Sequence, residues 1–144
     1  MDERARWREQ RSEAALAHAR AAERARQREH ERARAMLRTF TADLRAAGVP
    51  PVPLRASAGR ARYRTGLTGW YLKRDGSLGV AEDGSYHVLV VAPSVRALLL
   101  GVRVEPSDPP LQVGRGARDG ESVELAELLR SRAAELLGAA GPAR

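Results

Sequence analysis

The chain has 144 residues, with 25 basic against 18 acidic side chains and a formal charge of +7, a size suited to one domain with an appendage. No run approaches the ~18 apolar residues of a membrane span, and the charged start lacks the apolar core of a signal peptide. A cytoplasmic protein with no membrane partner is the expectation, and the absence of cysteine removes disulfides, thiol nucleophiles and cysteine-held metal centres.

The positive charge is concentrated. Residues 1–47 carry 12 Arg against 8 acids, and residues 48–69 add Arg55, Arg60, Arg62 and Arg64 with no acid at all. From Trp70 onward bases and acids nearly cancel. Such asymmetry points to an acidic partner, with nucleic acid the commonest. Of the 25 basic residues only Lys73 is not arginine. Arginine suits bidentate contact with phosphate or carboxylate, though a GC-rich coding sequence would give the same bias.

Residues 2 to about 47 contain neither Gly nor Pro and are rich in Ala, Arg, Glu and Gln, which predicts one long helix ending at Gly48. Ala33, Met36, Leu37, Phe40 and Leu44 fall at helical spacing and form an apolar stripe able to dock on a core. Before them the best stripe is Trp7, Ala14, Ala17, Ala21 and Ala25, a seam fit for a close helix pair. Pairs such as Arg20–Glu23, Glu29–Arg32 and Glu31–Arg34 support the helix. Arg20, Arg24, Arg28 and Arg32 recur every four residues along one ridge. Like charges at that spacing repel, so the ridge invites an anion unless Glu23, Glu29 and Glu31 neutralise it.

Residues 48–59 read as a proline-rich spacer between the helix and a small α+β domain over 60–144. From Arg60 the period becomes two: Arg60, Arg62 and Arg64 alternate with Ala61, Tyr63 and Thr65, a strand with one basic face. Two Asp-Gly pairs, Asp75-Gly76 and Asp83-Gly84, separate apolar runs and predict an antiparallel meander of about four strands. Tyr86–Val91 reads as a central strand and Ala97–Val104 as another apolar run. A last helix is expected from Ser122 to Leu137, stopped by Gly138 and packed on the sheet through Val123, Leu125, Leu128, Leu129, Leu136 and Leu137.

Little here suggests catalysis. H-E-x-x-H, G-x-S-x-G and the Walker lysine motif are absent. His18 and His30 lie on the long helix, too far apart for one metal, and His87 alternates with apolar neighbours as a structural strand histidine does. Asp75, Asp83 and Asp119 all precede Gly, which turn geometry explains. No catalytic residue, metal or cofactor is expected.

Two stretches suggest binding. In Gly114–Gly120, Arg115 and Arg118 sit in a glycine-rich loop ahead of the last helix, though Asp119 replaces the third glycine of the dinucleotide pattern. The strip Arg60, Arg62, Tyr63, Arg64, Trp70, Tyr71, Lys73 and Arg74 combines cations with aromatics, the ingredients of a nucleic-acid surface. The expectation is therefore a non-enzymatic accessory protein. It would bind nucleic acid or an acidic protein through Arg20, Arg24, Arg28, Arg32, Arg60, Arg62, Arg64, Tyr71 and Lys73. One alternative is an assembly module in which residues 1–47 pair with themselves or a partner helix. The other is a small-ligand or anion domain using Gly114–Gly120.

Overall fold

The computed structural model describes residues 2–114 and 123–140. Helix α1 runs Glu3–Ala46, about 66 Å at 1.5 Å per residue. Asp2 caps its start by accepting from the Arg4 N–H. Its end is a Schellman turn. Gly48 takes φ +75°, its N–H meets the Arg45 carbonyl at 3.0 Å, and the Val49 N–H meets that of Leu44 at 2.9 Å. Val49 and Leu44 are both buried, which locks the chain's exit from the helix onto the core.

The apolar stripe docks as its spacing requires. Ala33, Leu37, Phe40 and Leu44 join Trp70, Leu72, Leu78 and Val80 in the main core. Ahead of it, His30 Nδ1 lies 2.8 Å from the Pro109 carbonyl, so His30 is half-buried rather than exposed. Residues 3–28 touch little: apart from half-buried Ala5 they are exposed, a projection of about 39 Å.

Four strands follow: β1 (Val52–Ala58), β2 (Ala61–Tyr71), β3 (Leu78–Ala81) and β4 (Tyr86–Val88), antiparallel in the order β1-β2-β3-β4. The architecture is the expected α+β one. The proline-rich stretch, however, is not a spacer over its whole length, because Val52–Ala58 is itself a strand. Its Leu54, Ala56 and Ala58 point inward and Arg55 outward. Pro53 is tolerated because β1 begins the sheet and needs no donor on its outer side there. The sheet curls: beyond β4, the Ser57 N–H reaches the Leu89 carbonyl at 2.7 Å and the Val91 N–H reaches that of Ser57 at 2.9 Å. Of the Tyr86–Val91 run read as a central strand, only Tyr86–Val88 is strand, and it stands last in the sheet order; isolated bridges join Val90 to Ser57 and Tyr86 to Ser107, and Val88 and Val90 are exposed.

Two features permit the curl. Between Leu54 and Arg55 the register slips, so that Thr65 and Gly66 bulge from β2, with Gly66 at φ +75°. Thr65 Oγ1 fastens the bulge by donating to the Leu54 carbonyl at 2.5 Å and accepting from the Leu67 N–H at 3.1 Å. Gly69, opposite Ala81, lies so close to β3 that an added Cβ would sit 2.0 Å from the Val80 carbonyl oxygen.

Residues Ala97–Val104 form no strand. Val95–Leu100 is a short helix, α2, capped by Ser94 and ended by Gly101. The chain then pairs β5 (Gln112–Val113) with β6 (Val123–Glu124) and closes with α3 (Leu125–Ala140). Val123 is therefore strand rather than helix, and Gly138 does not stop α3. Leu125 and Leu129 enter the main core, Leu128 and Leu136 pack against it, and Leu137 stays exposed. Among the described residues no helix is long and apolar enough to cross a membrane.

Gly69→Ala tests the tight approach. Backbone, not a mobile side chain, blocks the new methyl, so the variant should lose about 3 kcal/mol or more, the top of the overpacking range. Gly79→Ala should cost less, because there the nearest obstacles are the flexible ends of Leu89 and Leu54. Urea midpoints of the two variants check the order.

Candidate nucleic-acid interface

The alternation of β2 buries Tyr63 and exposes Arg62 and Arg64, with Arg60 exposed in the turn before it. Register then adds a residue that the spacer reading missed. Arg55 lies directly opposite Arg64, and Ser57 opposite Arg62. Like charges facing across a strand pair are destabilising, so this outer face carries a built-in cost. The signal was present in the strict alternation of Leu54, Arg55, Ala56, Ser57 and Ala58. Arg96 and Arg103 extend the group. Arg64, Arg96 and Arg103 line one open depression of about 600 Å³ with Leu100 and Gly101.

Ion pairs show which arginines are occupied. Arg74 meets Glu135 at 2.8 Å, and Arg132 meets the same carboxylate at 2.9 Å. Their hydrogen bonds and charges hold Glu135 below the ordinary carboxylate range and push Arg74 up. Arg34 meets Asp108 at 2.6 Å, and Arg103 meets Glu105 at 2.9 Å. Among the described residues, Arg55, Arg60, Arg62 and Arg64 have no carboxylate partner.

The aromatics of the strip do not form a stacking platform. Trp70 is 2% exposed and lies under the Arg45 guanidinium, 5.7 Å from its ring centre. Tyr63 is buried, and its hydroxyl accepts from the Ser94 N–H at 2.9 Å. The half-buried Tyr71 accepts from the Arg55 N–H at 2.9 Å, bracing β1. Lys73 is half-buried beside it. What the strip offers an anion is its guanidinium groups.

On α1 the ridge residues Arg20, Arg24, Arg28 and Arg32 are all exposed. Of the acids expected to neutralise them, Glu23 and Glu29 are engaged elsewhere and Glu31 stays beside the ridge. Glu23 bonds Arg26 and Gln27, which hold its carboxylate below the usual range. Glu29 accepts from the Leu111 N–H at 3.2 Å. Arg28 and Arg32 line an open trough with Arg34, Arg38 and Glu31. Arg115 and Arg118 lie outside the described residues.

No family model, curated protein or solved structure matches this chain. The functional reading rests on its own residues.

One cluster has the residue types of a hydrolase. Ser85 Oγ lies 2.6 Å from Asp83 Oδ1 and 2.8 Å from His87 Nε2. It borders a cleft of about 330 Å³ that Arg34 and Arg38 also line. The serine hydroxyl has one proton, and it donates that proton to Asp83 rather than to the imidazole. Asp75 repeats the motif with Ser77, at 2.7 Å to Oγ and 2.9 Å to the N–H, with no histidine nearby in sequence. Both carboxylates are held below their ordinary values chiefly by these serine hydroxyls. The clusters fasten the two Asp-Gly turns. Among the described residues no group of three His, Cys, Asp or Glu could hold a metal.

His87 is 2% exposed, and burial pushes its imidazole below the ordinary value, against the opposing pull of Asp83 and of the Glu105 and Val104 backbone. A lowered native pKa means the unfolded chain takes up the proton first. Stability should be full above the unfolded value of about 6.5 and fall as pH drops below it. Thermal midpoints at neutral and mildly acidic pH should diverge in the native chain and draw together in His87→Gln.

Proposed function

We propose that this is a non-enzymatic, cytoplasmic accessory protein that binds a polyanion, with nucleic acid as its reference ligand. The observation that carries this reading is the set Arg55, Arg60, Arg62 and Arg64, exposed on one hairpin and without a carboxylate partner among the described residues. Four guanidinium groups held together against their own repulsion gain most when phosphates neutralise them. The exposed ridge Arg20, Arg24, Arg28 and Arg32 supports it with a second row of cations. Binding of this kind follows backbone charge more than sequence. The chain has no Asn and only three Gln, the side chains that read adenine bidentately.

Titration of labelled duplex DNA at several salt concentrations tests the reading. Log affinity should fall linearly with log salt, by about 0.9 for each phosphate neutralised. Arg55, Arg62 and Arg64 changed together to Gln should flatten that slope by roughly 2 to 3 units. A flat dependence in the native chain, or no binding at low salt, would overturn it.

Assembly through α1 is supported by a separate observation: Trp7, exposed and stacked under Arg11 at 4.6 Å, heads an uncovered alanine seam. Sedimentation velocity across protein concentrations should then show a dimer that Trp7→Ala weakens. A native chain that stays monomeric throughout counts against it.

A further inference from the structure

The most concentrated exposed apolar surface is helix α2. In it Val95, Leu98, Leu99 and Leu100 are 58–77% exposed. Only Ala97 of this helix turns inward, against Ala58 and Tyr63. The display is held rigidly. Ser94 Oγ caps the helix at Ala97 N–H, and the Ser94 N–H is itself anchored on the Tyr63 hydroxyl. At the other end the Arg64 guanidinium donates to the Leu99 carbonyl at 3.0 Å, and the Arg64 carbonyl accepts from the Val102 N–H at 2.8 Å. Gly101 passes so close to that carbonyl that a Cβ would lie 2.8 Å away. The leucines are therefore fixed outward beside the basic hairpin.

From this juxtaposition we infer that α2 and the neighbouring arginines dock on an anionic lipid bilayer, the leucines entering the headgroup boundary and the guanidinium groups meeting lipid phosphates. Charge selects this occupant. Arg64 and Arg96 flank Leu100 with no acid, and Arg103 adds a third cation, paired with Glu105. A second copy of the chain would bring the same arginines against each other. A nucleic-acid backbone would meet the arginines but gain nothing from aliphatic side chains. Stable attachment at a bilayer surface needs two signals, and an apolar wedge beside a cluster of cations supplies both. Such a contact needs no membrane-spanning helix, and among the described residues none is long and apolar enough to be one.

The inference rests on the polyanion reading of the hairpin, and the test separates the two. The full chain is sedimented with vesicles of phosphatidylcholine alone and with added phosphatidylglycerol, and DNA binding is measured in parallel. Binding to the anionic vesicles only is expected. Val95, Leu98 and Leu99, which are exposed and lie outside the arginine-lined depression, changed together to Ser should weaken it roughly a hundredfold while leaving DNA affinity unchanged. DNA binding without vesicle binding overturns the lipid inference alone, and binding to neither overturns both readings. Vesicle binding that survives the serine substitutions overturns the role of α2. So does a dimer in lipid-free solution that those substitutions dissolve, which would make a second copy the occupant.

Discussion

Ala33, Leu37, Phe40 and Leu44 close the apolar face of a sheet that is too small to bury itself. Leu78 and Val80 lie on strands of only a few residues, and Trp70 and Leu72 need cover that the meander lacks. One turn after another of α1 supplies it, and the Schellman turn at Gly48 delivers the chain directly into β1. The helix is thus half core and half projection. The docked half cannot be separated from the domain without uncovering its core, and this arrangement fixes where every other element can sit.

Once the core is set, the distribution of acids decides what the arginines can do. Asp75 and Asp83 are consumed in turns, Glu29 holds a loop N–H, and Asp108 and Glu135 tie loop to α1 and α3 to the sheet. Each carboxylate spent on architecture is one fewer to neutralise a cation. The hairpin arginines stay without a carboxylate partner among the described residues, and Asp75, the first acid after them in sequence, is held by Ser77. Surface pairs contribute little stability individually. Their larger effect here is to leave one face basic.

Much of the fold was readable in the chain. Some 45 residues without Gly or Pro, closed by Gly48, can hardly be other than a helix, and the Asp-Gly pairs fall where turns are. Other elements were hidden by competing signals. Prolines masked the alternation of β1, so Arg55 was missed as part of the basic face. Ala97–Val104 is apolar on both faces apart from Arg103 and reads as a strand, but its first residues belong to the helix Val95–Leu100. That segment is a helix because Ser94 caps it and only Ala97 fits against Tyr63. The roles of Tyr63 and Tyr71 depend on backbone donors 31 and 16 residues away, a pairing that no local pattern encodes. The arginines were readable as residues, but which of them lack a partner depends on tertiary contacts.

The exposed half of α1 has a mechanical meaning as well. It carries no glycine or proline at which to bend and is continuous with the turns buried in the core. Tip and domain therefore share one axis, and a rotation of the domain sweeps Trp7 through an arc with a radius of about 33 Å. Whatever engages the tip is held at a set distance and bearing from the sheet.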